Sequence, residues 1–292
     1  MMEHYQGRFR GSQNLALYYQ SWQPTVAAKA TIALVHGLGS HSGWWMNLVQ
    51  PLVAQGYWVY TFDLRGHGQS PGPRGHVSHW HEYRDDFHQF CQLMQAQHPK
   101  LPSFALGHSL GGVIVLDYVL RCTETLAGVI AIAPALGAVG VSPVKLWLGQ
   151  LLSQYWPQFA LETGLSPVGG SRNKDIVAAY AKDPLRHTRG SARLATEFLL
   201  TRQWVQHHLS ELTVPTLILQ GSDDSVVLLE SSRRAFEQIQ NQDKEYREYP
   251  GAYHDLHNDF CELTVVQDIL NWLERHLSSA ERFCRFEMSS VL

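Results

Sequence analysis

The pentapeptide Gly107-His108-Ser109-Leu110-Gly111, followed by Gly112, is where this chain's residue types and spacing point most directly to chemistry. A serine hydroxyl is a poor nucleophile at neutral pH and needs a base within hydrogen-bond reach. It also needs exposure, which a G-x-S-x-G turn provides when a strand precedes it and a helix follows. Both are predicted here: Phe104 to Leu106 is a short apolar run, and Val113 to Leu120 has a helical pattern. Glycines flank the serine because side chains there would collide with neighbouring backbone. The backbone N–H of Leu110, at the amino end of the helix, aims at developing negative charge.

An acid and a base follow downstream. Gly221-Ser222-Asp223-Asp224 comes directly after the apolar run Thr216 to Gln220, and Gly251-Ala252-Tyr253-His254 directly after Lys244 to Tyr249. Loops at strand carboxyl ends are where open α/β sheets build their sites. The order Ser, Asp, His assigns roles: His254 takes the Ser109 proton and returns it to a leaving alkoxide, while Asp223 or Asp224 holds the imidazole tautomer. His257, three residues on, is the rival base.

The elements that must position these residues are legible as a rhythm. Ala30 to Val35, Tyr57 to Phe62, Phe104 to Leu106, Ala127 to Ala133 and Thr216 to Gln220 are short, Val/Ile/Leu-rich and mostly continuous, as strands buried on both faces are. Helical patterns lie between them. In His79 to Gln97, Trp80, Tyr83, Phe87, Phe90 and Met94 form one apolar stripe, and Pro99 stops it. Glu230 to Gln240 and Asp259 to Leu277 read similarly. This alternation predicts an α/β fold with a doubly wound, mostly parallel sheet. Tyr5 to Trp22 alternates and contains Gly11-Ser12, which predicts an antiparallel hairpin at the sheet edge. Between about Leu136 and Leu209 no strand-like run appears. Helical patterns and aromatics do: Trp147, Tyr155, Trp156, Phe159, Phe198 and Trp204. The expected organisation is therefore a core in two parts, residues 1–135 and 210–277, a helical cap at 136–209, and a tail at 278–292 without an assigned role.

Four blocks resemble the monoacylglycerol lipase and lysophospholipase branch of the α/β-hydrolases, which is grouped with the serine aminopeptidase-like hydrolases. They are His36-Gly37-Leu38-Gly39-Ser40-His41-Ser42, Asp63 to Ser70, Gly107 to Gly112 and Gly251 to His257. Four blocks in order are far more specific than any one. The resemblance implies an α/β-hydrolase fold with a helical cap and hydrolysis of a fatty-acyl ester through an acyl-serine, without cofactor or metal. It also selects Asp224, the last residue of a G-x-x-D loop, as the acid, and makes the Leu38 N–H the second oxyanion donor opposite Leu110. The cap aromatics would then line an acyl tunnel, and an apolar cap could rest on a membrane or lipid surface.

Composition narrows the alternatives. Among 292 residues, 45% are hydrophobic and 17% charged, enough to bury a large core. The net charge of -3 comes without clustered Lys or Arg, so no nucleic-acid footprint is expected. Cys91, Cys122, Cys261 and Cys284 form no C-x-x-C pair, and the first ten residues lack an apolar stretch. These features predict a soluble, cytoplasmic protein. Sixteen histidines invite a metal, but neither His79 and His81 nor His207 and His208 have i, i+4 spacing with a carboxylate. His36, His67 and His108 are expected to make structural hydrogen bonds, and Asp63 and Arg65 to brace loops. A peptidase on the same scaffold would need an acidic pocket for an ammonium group, for which the cap offers Glu162, Asp175, Asp183 and Glu197. A non-catalytic binding protein would have little use for an intact Ser, Asp and His.

Overall fold

The computed structural model describes residues 2–122, 126–137, 143–164 and 167–289, apart from the side chains of 143–148, 167 and 278–289. Eight strands form one sheet: β1 (Glu3–Arg10), β2 (Ala16–Gln23), β3 (Ala30–Val35), β4 (Tyr57–Phe62), β5 (Ser103–His108), β6 (Gly128–Ile132), β9 (Thr216–Gly221) and β10 (Lys244–Tyr249). Their order is β1-β2-β4-β3-β5-β6-β9-β10. From β4 onward every pairing is parallel, while β1 and β2 form the expected antiparallel edge hairpin.

Successive side chains of a strand point to opposite faces, and the buried strands use both. Ala33 and Val35 of β3 face one layer and Ile32 and Leu34 the other; in β6, Val129 and Ala131 oppose Ile130 and Ile132. The first layer is closed by α2 (His81–Gln97), α3 (Leu110–Arg121) and α6 (Ala192–His208), the second by α1 (Met46–Ala54) and α8 (Glu262–Ser289). Burying one Val, Leu or Ile side chain contributes about 1.5–3 kcal/mol, so a two-faced sheet is strongly held. The apolar stripe of α2 appears as expected, with Tyr83, Phe87, Phe90 and Met94 buried. Its inner face also carries Asp86 and Glu82, which clamp Arg65 at 2.7 and 2.9 Å. Asp86 receives the Ser12 N–H as well, so Arg65 braces the hairpin. Asp63 accepts the N–H groups of Ser42 and Gln69, both at 2.7 Å.

Two local features escape the sequence pattern. Helix α1 contains Pro51, which interrupts a helical reading. The segment expected to lack strands contains two: β7 (Ala160–Glu162) and β8 (Arg189–Ser191), paired antiparallel in a sheet of their own. Three residues are too few to show a period. Around them lie α4 (Pro143–Tyr155), α5 (Lys174–Lys182) and α6, between the strands β6 and β9. After β9 come α7 (Leu229–Gln238) and, beyond β10, α8, which runs through residue 277 to Ser289 without a break.

Candidate active site

Ser109 is the first residue after β5 and the cap of α3, with φ +55° and ψ -115°. A non-glycine residue in that region costs about 1–3 kcal/mol and persists only where its surroundings force it. Here a Cβ on Gly107 would lie 2.3 Å from the Gly111 carbonyl oxygen, and one on Gly111 would lie 2.1 Å from that of Val35. The two glycines let strand and helix meet at a sharp angle. The Ser109 N–H, donated to Ile132 O at 3.0 Å, ties the turn to β6. Helix α3 is buried on nearly all sides, so the turn has little freedom to relax.

The Asp–His pair assembles from the ends of β9 and β10. Asp224, after β9, accepts from His254 Nδ1 at 2.7 Å through Oδ2. Its Oδ1 accepts the N–H groups of Val226 and Val227 at 2.8 and 2.9 Å. Asp224 is 4% exposed and His254 6%. Asp223, the other candidate acid, is exposed and hydrogen-bonded to Ser222 Oγ. Burial pushes the His254 imidazole pKa down, but the Asp224 hydrogen bond and charge, helped by Asp255, outweigh it and hold the pKa above its ordinary value. His257 has no such acid. It stacks on Trp45 with ring centres 4.5 Å apart, and burial holds its pKa at about 4.

On the opposite side, Gly37 to Ser40 form a tight turn closed by Ser40 N–H to Gly37 O at 3.2 Å, with Gly39 at φ +72°. A Cβ on Gly37 would stand 3.1 Å from Ser109 Cβ, so this turn faces the nucleophile. Among the described residues no protein acceptor takes the backbone N–H of Leu38 or Leu110, which leaves both donors available. The cap fixes the turn from outside. His187 N–H donates to Gly39 O at 3.1 Å, and Arg186 Nη1 to Ser40 Oγ at 3.2 Å. Asp183 Oδ2 accepts from His41 Nε2 at 2.7 Å and Trp44 Nε1 at 2.8 Å.

A cavity of about 410 Å³ joins these parts, with Leu38, Ser109, His254 and His257 on one wall and Tyr180, Asp183, Arg186 and His187 on the cap wall. The cap face is more polar than the sequence suggests. None of Tyr155, Trp156, Phe159, Phe198 and Trp204 lines the cavity. Tyr155 and Trp156 are 78% and 60% exposed, Phe198 packs near Trp80, and Trp204 lies under Arg121. The Trp147 side chain lies outside the described residues. The expected acyl tunnel is thus not built by these five rings around this cavity. Of the four cap acids, only Asp183 lines it, and His41 and Trp44 already occupy that carboxylate. Among the described residues His108, His254 and Asp255 alone could offer three metal-ligating atoms, all within 4.8 Å of one another. A cation there would compete for the imidazole that Asp224 orients.

Residue by residue, Leu38, Ser109 and His254 line one cavity, Asp224 stands behind His254, and Leu110 follows Ser109 at the start of α3. His36 and His67 make the expected structural bonds: His36 Nε2 accepts Leu64 N–H at 3.0 Å, and His67 Nδ1 lies 2.9 Å from Arg65 O. Gln220 went unnoticed in the sequence. Its Nε2 donates to Asp224 Oδ2 at 2.9 Å while its Oε1 accepts from Ser232 at 2.7 Å. The available signal was a polar residue closing an otherwise apolar strand, which must find partners when buried.

Comparison with known proteins identifies the family. The family model described as "Serine aminopeptidase, S33" matches residues 26–260. A monoacylglycerol lipase of Mycolicibacterium smegmatis is 31% identical over 271 residues, covering 92% of this chain and 96% of that protein. The monoglyceride lipase of Homo sapiens is 34% identical over 272 residues, covering 90% and 88%. Among solved structures, the Paleococcus ferrophilus monoacylglycerol lipase superposes with a TM-score of 0.80 at 33% identity, covering 89% of this chain and 99% of that one. With four-fifths of its length matched by the family model and a monoacylglycerol lipase structure superposing over 89% of it, this chain belongs to the serine aminopeptidase S33 family of α/β-hydrolases.

Proposed function

We propose that this protein hydrolyses the ester of a lipid carrying one acyl chain, a monoacylglycerol or a lysophospholipid, with Ser109 as nucleophile, His254 as base and Asp224 as the acid that orients it. The observation that carries the assignment is the 2.7 Å bond between Asp224 and His254 on the wall of the cavity that Ser109 also lines. The names of the relatives, monoacylglycerol and monoglyceride lipases, support the first substrate.

The chemistry follows from the positions. Ser109 Oγ attacks the ester carbonyl carbon as its proton passes to His254 Nε2, and the N–H groups of Leu38 and Leu110 receive the negative oxygen. His254 then protonates the leaving alkoxide as its C–O bond breaks, leaving an acyl-Ser109. Water repeats the sequence, with His254 again as base, and releases the fatty acid. Each oxyanion donor is worth about 2.7–4 kcal/mol. No cofactor enters any step. In this reading residues 1–135 and 210–277 form the catalytic core and 136–209 the cap that selects substrate.

The reading extends to where substrate is met. We read the protein as cytoplasmic, and Tyr155, Trp156, Leu161 and Leu200 expose apolar surface on the cap, which supports peripheral contact with a membrane or lipid droplet. Among the described residues no helix is long and apolar enough to cross a membrane.

A fluorophosphonate probe should label the native protein stoichiometrically and leave Ser109→Ala unlabelled. Rates on p-nitrophenyl esters of rising chain length, followed by monoacylglycerol against lysophosphatidylcholine, then identify the substrate. Labelling that survives Ser109→Ala overturns the assignment. Rates that fall beyond short chains overturn the lipid substrate and leave the esterase.

A further inference from the structure

The cavity wall holds a second carboxylate–imidazole pair that the mechanism above leaves unused. Asp255 follows His254 directly, and His108 precedes Ser109 directly. His108 Nε2 lies 3.3 Å from Asp255 Oδ1 and 3.2 Å from the His254 carbonyl oxygen. One N–H therefore reaches both the backbone of the base and the side chain after it. The His108 and His254 rings are 4.6 Å apart. Both members are buried, at 6% and 8% exposure, and Asp255 is fixed from the cap by its own N–H, donated to Gly170 O at 2.7 Å.

We propose, on the assignment of Ser109 and His254 made above, that Asp255 and His108 act as positioning residues. They lock the main chain carrying the base to the residue before the nucleophile, and they place a second fixed negative charge beside the His254 imidazole.

The protonation states fit this arrangement. Burial, reinforced by His254, holds the His108 pKa well below its ordinary value, so its Nε2 keeps a proton to donate without adding charge. Burial raises the Asp255 pKa, but the surrounding histidines and Arg186 bring it to about 2, so Asp255 is ionised throughout the working range. The groups facing His254 are then Asp224 from the loop after β9, His108 from the nucleophile turn, and Asp255 and His257 from its own loop. On the cap side Arg186 acts on Asp255 and His257, and the Tyr180 hydroxyl faces Asp255. Of these, Asp224 and Asp255 alone favour the imidazolium that forms as Ser109 attacks.

Asp255→Asn keeps an oxygen for the His108 N–H and removes the charge. The test measures kcat/KM against pH on p-nitrophenyl butyrate, with active sites counted by fluorophosphonate labelling. Loss of a charge within 4.8 Å should move the acidic limb down by about one pH unit. The same loss to the imidazolium should lower the plateau kcat about tenfold, with KM within about twofold. Asp255→Glu should restore the limb. His108→Ala, which keeps the charge and cuts the tie, should lower kcat about tenfold through misplacement, with the limb largely in place. A Ser109-dependent enzyme whose limb and plateau both stay put in Asp255→Asn overturns this proposal alone. So does a lowered thermal midpoint with kcat per labelled site unchanged, because the pair would then serve folding only. Labelling that does not depend on Ser109 overturns the assignment of the triad and this proposal with it.

Discussion

The two walls of the cavity are built on different terms. On the core wall each candidate group sits just beyond the end of a strand, with β3, β5 and β9 almost wholly buried and β10 half-exposed, and backbone approaches near the contact limit fix the Ser109 turn, as between Gly107 and Gly111. Asp224 has both oxygens satisfied, and its partner Gln220 is itself held by Ser232. The cap wall is half-exposed and attached through a few polar ties. Three of them, from Asp183, Arg186 and His187, converge on the turn from Gly39 to Trp44. Chemistry needs its groups held to within fractions of an ångström, which dense packing provides. Substrate selection tolerates, and gating needs, a wall that can open at modest cost. The oxyanion turn belongs to both regions. It hangs from β3, yet cap residues tie its outer face, so the position of the turn depends on both regions.

Variants can break this contrast at several depths. On the core wall, Asp224→Asn should lower kcat about 10⁴-fold while leaving probe binding geometry intact, because the wrong imidazole tautomer is held. Gly39→Ala tests the shared turn. Its Cβ would stand 1.9 Å from His187 O at a positive φ, so the turn must move, and kcat should fall about 10²–10³-fold. Asp183→Ala cuts the cap tie and orphans the donors of His41 and Trp44. It should destabilise the protein by about 1–3 kcal/mol and lower kcat far less than Gly39→Ala does, read by thermal melts and steady-state rates. Trp156→Glu on the outer cap should leave rates on a soluble ester within about twofold and reduce pelleting with anionic liposomes. Unchanged pelleting would remove the lipid-surface role.

The pH responses separate the same regions. His254 must be neutral to accept the Ser109 proton, and its pKa is raised, so activity should climb through a limb above about 6.5, the ordinary imidazole value. Stability runs in the same direction for the histidines buried neutral. His36 and His257 are held at about 4 by burial. The unfolded chain therefore binds more protons between about 6.5 and 4, and stability should fall as pH drops through that window. Each contributes up to about 1.4 kcal/mol per pH unit. His254, with its raised pKa, opposes this, since its share is present below about 6.5 and lost above its folded pKa. Denaturant melts from pH 7 to 4.5 test the sum, and a flat profile would mean these imidazoles gain water or a partner in acid.

Much of the catalytic wall was already written in the chain. The glycine-flanked Ser109 and the acid loop at Asp224 announce themselves because each follows a buried strand of apolar composition, whereas the His254 loop follows the half-exposed, charged β10 and is marked instead by its glycine and by the order Ser, Asp, His. The edge hairpin and the stripe of α2 were legible for the same reason: period and burial are local consequences of residue order. What folding alone decided depends on residues far apart in sequence. Whether Asp223 or Asp224 meets His254, and that Gln220 stands behind the acid, are set by the register of β9 beside β10, which no local pattern encodes. That Tyr155 and Trp156 turn outward while Asp183, Arg186 and His187 line the cavity with Ser109 depends on how a weakly patterned segment docks. Its helix α6 packs into the core, but the stretch that faces Ser109 is held by a few hydrogen bonds to the turn from Gly39 to Trp44, so only the assembled structure could fix which side looks inward.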